Sequence, residues 1–271
     1  MLSGALGAEV LGIDLKDSSI ENWNKINNLL LEHKALFFRD QNITSEEQIN
    51  LAKRFGPLER HIYVKGRENY PEILRIIKEP DEKRQWGETW HTDVSYNPKP
   101  TKVIILRSLK IPPVGGDTMF SNMEIAYETL DEKIKNKIKD KKAVHSSLGA
   151  AAFTEAYKAM EGNGNLDEYS NAHPMVRTHP ETGKKILYVN SMYTKKILDT
   201  DAQESEDILN QIFAHQERLD FTCRFKWTEN AVAIWDNRST LHQGLTDFFP
   251  GRGLGHERVM DRIAIEGDHP L

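Results

Sequence analysis

The segment Ala231-Val-Ala-Ile-Trp-Asp-Asn-Arg-Ser-Thr-Leu-His242 combines an apolar run, a polar turn and a second short run that ends on a histidine. The apolar run over 231–236 is rich in β-branched and aromatic residues, which predicts a buried strand. The turn that follows leads into another short strand, which carries His242. This unit sets the pattern for the remainder of the chain.

Similar short runs recur from one end of the chain to the other. They predict strands over 8–15, 35–38, 73–78, 101–109, 117–121, 175–178, 185–189, 221–227 and 258–265. Helices are predicted over 18–33, 44–56, 122–142 and 203–216, the first two begun by the capping boxes Ser18/Glu21 and Thr44/Glu47. Many short strands with a few peripheral helices indicate a mainly β protein whose core is a double-stranded β-helix, the cupin-like jelly roll, with a cavity between its sheets.

Composition narrows the class of protein. The chain has 271 residues and a formal net charge of -5, which argues against nucleic acid as a partner. Cys223 is the only cysteine, so no internal disulfide can form and a reducing, cytoplasmic location is expected. No apolar run approaches the roughly 20 residues that span a bilayer, so no membrane association is expected. We expect one domain over 1–271, with a lid over 147–172, where three glycines interrupt a mixed sequence.

Trp90-His91-Thr92-Asp93 supplies the partners of His242. On an extended strand residues i and i+2 share a face, so His91 and Asp93 can bind one ion while His242 adds a third ligand from a distant strand. Two imidazoles and one carboxylate leave octahedral positions open, as in the facial triad of non-haem iron(II) oxygenases. A His-x-Asp pair by itself is more often a surface hydrogen-bonded pair. Here His242, together with the anion-binding residues described next, favours a metal site over such a pair.

Two arginines near the C-terminus indicate an anionic ligand. Arg258 and Arg262 lie four residues apart on a predicted strand, so they share a face at a separation of roughly 13 Å. The apolar residues among and after them favour a buried strand over an exposed edge, and buried guanidinium groups require anionic partners. Thr118, which follows the turn at Gly115-Gly116, is either an ordinary strand threonine or a hydroxyl donor to a bound carboxylate.

In its motifs the chain resembles the taurine dioxygenase family, which includes chlorophenoxyacetate and alkylsulfate dioxygenases. The resemblance covers almost the whole sequence and rests on the motifs Gly7-Ala8-Glu9, Phe37 to Gln41, Arg54-Phe55-Gly56, Trp90 to Val94, Gly116-Asp117-Thr118, Arg177 to Pro180, Ile234 to Arg238 and Arg258 to Arg262. It implies a dioxygenase that uses Fe(II), with 2-oxoglutarate and O2 as co-substrates. Family members also suggest a homodimer or homotetramer.

The resemblance also implies roles for individual residues. His91, Asp93 and His242 would be the iron ligands, and Thr118 and Arg258 would hold the distal carboxylate of 2-oxoglutarate. Arg262 would lie beside both co-substrate and substrate. The implied substrate contacts also include the Val94 backbone and the His61 side chain. For His61, an exposed loop histidine without a role in binding is an equal alternative.

Departures from the family pattern bear on the substrate. The loop between His242 and Arg258 is longer and rich in glycine, Gly87-Glu88-Thr89 replaces an asparagine that contacts substrate, and the tyrosine expected just after His61 is displaced to Tyr63. Taurine specificity is therefore in question.

The predicted function is a dioxygenase that hydroxylates a small anionic molecule, such as a sulfonate, sulfate ester, aryloxy acid or other carboxylate, with release of succinate and CO2. The alternatives are a zinc-dependent jelly-roll hydrolase, a taurine-specific dioxygenase of the same family, and a binding protein without catalysis. Four further residues are assigned to the core or to structural hydrogen bonds, namely Cys223, His145, His173 and His179.

Overall fold

The computed structural model describes residues 1–17, 19–83, 87–149 and 169–271. Its strands are β1 (Ala8–Glu9), β2 (Ala35–Phe38), β3 (Leu58–Glu59), β4 (Leu74–Lys78), β5 (Val103–Lys110), β6 (Thr118–Asn122), β7 (Lys142–Ser146), β8 (Ser170–Pro174), β9 (Val176–Thr178), β10 (Lys185–Leu187), β11 (Thr194–Ile197), β12 (Thr222–Phe225), β13 (Val232–Asp236), β14 (Thr240–Gly244) and β15 (Arg258–Ile265). Its α-helices are α1 (Ile20–His33), α2 (Ser45–Lys53), α3 (Met123–Glu128), α4 (Glu132–Ile138) and α5 (Ala202–Gln216). Short 3-10 turns occupy Ser147–Gly149, Leu219–Phe221 and Pro250–Arg252.

Within these described residues, the largest sheet has seven strands in the order β1-β2-β13-β5-β15-β3, with β4 also paired to β15. A second sheet has the order β12-β6-β14. Side chains alternate across the large sheet as the two-residue repeat of a strand requires. In β13, Val232 and Ile234 pack on the side of α1 and α2, whereas Ala233 and Trp235 point to the opposite side.

The space between these two sheets is the core of the jelly roll. Phe37 of the large sheet stacks on Phe225 of the small one, with ring centroids 4.2 Å apart, and meets Phe120 edge-on at 5.4 Å. On β15, Met260 and Ala264 face this interior, and Arg258 and Arg262 lie on the same side by the two-residue repeat. The predicted double-stranded β-helix is confirmed, and it turns both arginines inward.

A further apolar cluster supports one end of the molecule. Helix α3 packs there on β10, and α5 packs on β11 and on α3, around buried residues that include Met175, Ile186 and Leu209. The neighbouring sheet has the order β11-β7-β8. Among the described residues, no helix is both long enough and apolar enough to cross a membrane.

The helix predictions hold in part. The Thr44/Glu47 capping box at α2 is confirmed, with both reciprocal hydrogen bonds present. Helix α1 instead takes Ser19 as its N-cap, while Ser18 lies outside the described residues. A single helix over 122–142 is wrong, because Asp131 caps a second helix, α4, and the chain enters β7 at Lys142.

The opening strand and the expected lid have different outcomes. The strand predicted over 8–15 shortens to β1, because only Ala8 and Glu9 pair with β2. Residues 150–168 of the expected lid lie outside the described residues, and 170–172 belong to β8. The lid and the single domain over 1–271 stay predictions.

Candidate metal centre and co-substrate cavity

The two histidines are brought together by backbone pairing between distant segments. The His91 N–H donates to the His242 carbonyl at 3.0 Å, and the His242 N–H donates to the His91 carbonyl at 2.9 Å. Their ring centroids are 4.1 Å apart. The expectation of a continuous strand through His91 and Asp93 is wrong, because His91 makes an isolated bridge and the chain turns directly after Asp93. One bridge is nevertheless enough to place both side chains on one side.

The carboxylate of Asp93 completes a compact set of three ligand groups. Its Oδ1 lies 3.5 Å from His91 Nε2, and its Oδ2 lies 3.7 Å from His242 Nε2. One ligand atom from each residue lies within 4.8 Å of the other two. Metal–nitrogen and metal–oxygen bonds are about 2.0–2.2 Å long, so such atoms can surround a single ion after a small contraction. Two imidazole nitrogens and one carboxylate are the donor set that suits iron(II) with open positions.

Protonation states in the cluster favour metal binding. His91 Nδ1–H donates to the Thr89 carbonyl at 2.7 Å, so Nε2 is the nitrogen that faces Asp93. Burial and the neighbouring His91 lower the pKa of His242 to about 3, so its imidazole is neutral. Burial alone would raise the pKa of Asp93, but the Arg262 guanidinium and the two histidines hold that pKa well below its usual range. The cluster thus combines an ionised Asp93 carboxylate with a neutral His242 imidazole.

The site contains buried polar atoms that lack a hydrogen-bond partner in the described part of the chain. Asp93 Oδ2 and Arg258 Nε are both inaccessible to solvent and make no hydrogen bond there, although Arg262 Nη2 forms an ion pair with Asp93 Oδ2 at 3.2 Å. Buried polar groups of this kind are normally satisfied, because leaving them unpaired costs free energy. A cation at Asp93 and an anion at Arg258 would each supply the missing partner. The residues therefore fit both a metal ion and a dicarboxylate co-substrate.

A cavity of about 560 Å³, measured with its open mouth, joins the two ends of this site. It is lined by Ile76, Gly87, His91, Asp93, Leu106, Thr118, Trp235, His242, Gly244, Arg258 and Arg262. The structure thus brings together six of the residues that the sequence predicts. The apolar side chains among these, Ile76, Leu106 and Trp235, all come from the large sheet, whereas the small sheet contributes Thr118, His242 and Gly244.

The far end of the cavity is built to receive an anion. Burial lowers the pKa of Arg258 to about 10, although Asp117 opposes this, so the guanidinium is still protonated at neutral pH. Trp227 Nε1–H donates to Thr118 Oγ1 at 2.9 Å, and Arg258 Cζ lies 5.9 Å from the Trp227 ring centroid. Because Trp227 uses Oγ1 as the acceptor, Thr118 can offer its O–H to a carboxylate beside Arg258.

Arg262 lies at the metal end instead. Its Nη2 is 3.2 Å from Asp93 Oδ2, and only 7% of the residue is exposed. The two arginines that look equivalent in the sequence thus have different partners. Arg262 borders the Asp93 carboxylate, whereas Arg258 lies beside Trp227.

The two remaining predicted residues lie outside the lining of this cavity. Val94 packs in a cluster with Tyr96 and Tyr193. His61 lines a neighbouring groove, where its Nδ1 accepts the backbone N–H groups of Tyr63 at 3.2 Å and Val64 at 3.3 Å. Burial and Arg262 lower the pKa of His61 to about 3 while Asp93 raises it, so this imidazole senses the charges of the metal site.

Sequence reasoning assigned three further histidines and the cysteine correctly, and it missed two residues near the candidate metal ligands. His145, His173 and His179 each hydrogen-bond within the fold, to Ser95, Asn97 and Asp236 respectively. Cys223 is buried, and that burial raises the pKa of its thiol to about 12. The residues missed are Asn237, which bonds to the backbone of Asp93, and Tyr193, whose ring meets that of His91 edge-on at 6.2 Å. Only Asn237 carried a signal, since it stands in the turn before His242.

Comparisons with known proteins agree with this geometry. Residues 1–263 match the family described as "Taurine catabolism dioxygenase TauD, TfdA family". The alkylsulfatase of Acinetobacter baylyi is 35% identical over 98% of this chain and 84% of its own length. A putative α-ketoglutarate-dependent taurine dioxygenase from Burkholderia xenovorans has a crystal structure that superposes with a TM-score of 0.85, at 34% identity, over 100% of this chain and 92% of the other.

A third comparison concerns the ligands. The crystal structure of AAD-2 in complex with Mn(II) and N-oxalylglycine superposes with a TM-score of 0.78, at 26% identity, covering 99% of this chain and 96% of that chain. Other relatives are named for their action on sulfonates, sulfate esters and phenoxypropionate. The chain belongs to the TauD/TfdA family. It is an oxidoreductase, a dioxygenase that depends on Fe(II), 2-oxoglutarate and O2 and acts on small molecules.

Proposed function

We propose that His91, Asp93 and His242 hold the iron, that Thr118 and Arg258 bind the distal carboxylate of 2-oxoglutarate, and that the enzyme hydroxylates a small anionic substrate. The observation that carries this proposal is the joint placement in one cavity of the three ligand groups and Arg258, whose Nε has no hydrogen-bond partner among the described residues. When bound, the iron with 2-oxoglutarate and O2 supplies an oxidant that converts a substrate C–H into C–OH, while the co-substrate becomes succinate and CO2.

The protein's contribution is to orient the reactants. Arg258 offers a charge-assisted, bidentate pair to the far carboxylate, which fixes how the co-substrate lies against the ligand cluster. Thr118 adds a hydroxyl donor to the same carboxylate. Leu106, Ile76 and Trp235 line the cavity between the two ends and exclude water from it.

Three residues form the proposed substrate side. Arg262 is the nearest cation to the metal ligands and can pair with an anionic group of the substrate. His61 is neutral and uses Nδ1 as an acceptor, so its proton is on Nε2 and can be donated to the same anion. The Val94 backbone borders this region through its position next to Asp93. A carboxylate, sulfonate or sulfate group would meet two donors there.

The substrate class follows from these donors and from the names of the relatives. We infer a sulfonate, a sulfate ester, an aryloxy acid or another carboxylate. If the hydroxylated carbon also bears a sulfonate, sulfate ester or ether oxygen, the product releases that group and forms a carbonyl compound. The displaced tyrosine and the replaced asparagine near Gly87 favour a substrate other than taurine.

The zinc hydrolase is a weaker candidate. It assigns no role to Thr118 or to Arg258, whose pairing with a carboxylate is what a 2-oxoglutarate enzyme requires. Oxygen-independent turnover with zinc would favour it over the dioxygenase.

The test has two stages. An anaerobic visible titration with iron(II) and then 2-oxoglutarate should produce a new absorption band in the wild type and none in His91→Ala. Succinate release is then screened under O2 with sulfonates, sulfate esters, aryloxy acids and other small carboxylates. A band that survives His91→Ala, or succinate release that no compound stimulates, contradicts the proposal.

We further propose that the chain is a single domain, assembles as a homodimer or homotetramer, and resides in the cytoplasm. The buried thiol of Cys223 and the family resemblance support these points. Light scattering after size-exclusion chromatography would report the mass, and calorimetry would show one unfolding transition for one domain. A tagged protein found mainly in an exported fraction would contradict the location.

A further inference from the structure

The chain adopts a strained conformation directly after the ligand Asp93. Val94 has a φ of 46°, in the left-handed region that β-branched residues rarely adopt because Cβ crowds the backbone. This turn decides where the Asp93 carboxylate points, since it fixes the peptide that follows that residue. Something in the surrounding structure must therefore hold the turn in place.

One buried side chain bonds to both peptide groups of Asp93. Asn237 Oδ1 accepts the Asp93 N–H at 3.0 Å, and Asn237 Nδ2 donates to the Asp93 carbonyl at 3.3 Å. The same Nδ2 donates to the Thr101 carbonyl at 2.9 Å. Asn237 is fully buried, so water does not compete for these hydrogen bonds. A single carboxamide thereby restricts the backbone on both sides of the Asp93 Cα.

Asn237 is itself rigidly supported. Its own N–H donates to the Lys102 carbonyl at 3.0 Å. The preceding Asp236 accepts from the Arg238 backbone and guanidinium, at 2.9 Å each, and from His179 at 2.9 Å. The turn that carries Asn237 continues into β14, which bears His242. Asn237 thus links the segment of one proposed ligand to the segment of another.

We propose that Asn237 is a positioning residue for the iron site: its carboxamide holds the strained turn at Val94 and so aims the Asp93 carboxylate at the metal. It touches no reactant and transfers no proton. The inference rests on the proposed metal ligands, and it adds a residue that sets their affinity for the ion. Partners that orient metal ligands typically change metal affinity by about 10–100-fold when they are replaced.

The test compares two buried asparagines. Asn122 is also buried and donates to the Ala5 carbonyl at 2.7 Å, but it caps α3 and does not contact a proposed ligand. Full-length apoprotein is titrated with Co(II) by visible absorption, and its melting temperature is measured by calorimetry. Asn237→Ala should weaken Co(II) binding by about 10–100-fold. Asn122→Ala should lower the melting temperature while Co(II) affinity stays within about twofold.

Strain at Val94 gives a second measurement. Glycine adopts a positive φ freely, so the loss caused by Asn237→Ala should be smaller in a Val94→Gly background than in the wild type. If Asn237→Ala does not fold, Asn237→Asp is compared with Asn122→Asp, because each keeps the acceptor and removes the donor. Asn237→Asp should then lose Co(II) affinity by the larger factor.

The outcomes separate the two proposals. Wild-type protein that binds no Co(II) refutes the metal site, and this inference with it. Wild-type protein that binds Co(II), with equal affinities in the Asn237 and Asn122 variants, refutes only the role of Asn237. Additive effects of Asn237→Ala and Val94→Gly refute the link to the strained turn.

Discussion

Replacing Arg258 with methionine should move folding stability and co-substrate affinity in opposite directions. Methionine has a similar length and carries no charge, so the variant removes the guanidinium without opening a large cavity. Arg258 is 7% exposed, and its Nε has no hydrogen-bond partner among the described residues. In the absence of 2-oxoglutarate this buried charge therefore destabilises the folded protein.

The size of the effect follows from the pKa. Burial lowers the pKa of Arg258 from its ordinary value to about 10, and 1.36 kcal/mol for each pKa unit gives a cost of about 3 kcal/mol for keeping the side chain charged. The folded-state pKa lies below the unfolded-state value, so this cost is fully present at neutral pH and is relieved only as the pH rises above about 10 toward the ordinary pKa of arginine. After relaxation of the site, Arg258→Met should stabilise the apoprotein by about 1–3 kcal/mol.

Binding responds in the other direction. Removing one partner of a buried charged pair costs about 2–5 kcal/mol, so the dissociation constant of 2-oxoglutarate should rise by about 30-fold or more. Calorimetric titration of the metal-loaded protein measures this constant, and urea unfolding of the apoprotein measures stability. Arg218→Met is the control, because Arg218 pairs with Asp220 on the surface and both side chains are more than half exposed. Unchanged 2-oxoglutarate affinity in Arg258→Met, or a less stable apoprotein, refutes the reasoning.

Three other predictions concern the metal, the substrate and pH. His91→Ala should reduce substrate-dependent succinate release below detection and abolish stoichiometric metal binding by the apoprotein, because it removes one of three proposed ligands; metal binding at the wild-type level would contradict this. Arg262→Ala should raise the KM for substrate more than the KM for 2-oxoglutarate, and an equal rise in both would contradict the separate roles of the arginines. Burial raises the pKa of Glu59 to about 7, and because this folded-state value exceeds the unfolded one, stability should fall as the pH rises from 4.5 to about 7. Glu59→Gln should flatten that fall in melting temperature, and a parallel decline in both proteins would show that Glu59 is not its source.

Local sequence patterns predicted much of the fold. The β-branched and aromatic run over 231–236 and the apolar residues of 258–265 predicted buried strands, and the structure places both next to β5 in the middle of the large sheet. The Thr44/Glu47 capping box correctly predicted the start of α2, because a capping box depends only on contacts within one helical turn. The helix over 122–142 failed because Asp131, which reads as one more polar residue on a helix face, instead caps a new helix.

Residue types also indicated the chemistry of the site. They named His91, Asp93 and His242 as a ligand set, and the two-residue repeat of a strand predicted that Arg258 and Arg262 share a face. Sequence spacing could not predict which residues each of the two arginines contacts. That depends on which side chains cross from other strands, with Asp93 beside Arg262 and Trp227 and Thr118 beside Arg258.

The sequence by itself determined which groups are available and which strands bury them, because periodicity and side-chain chemistry are local properties. Tertiary structure alone decided that His91 pairs with His242, that His61 is neutral within reach of Arg262, and that Asn237 holds the turn at Val94. These relations join residues far apart in the chain, some by more than 140 positions. Their energies come from burial and from contact geometry, which exist only after the two sheets have closed on each other.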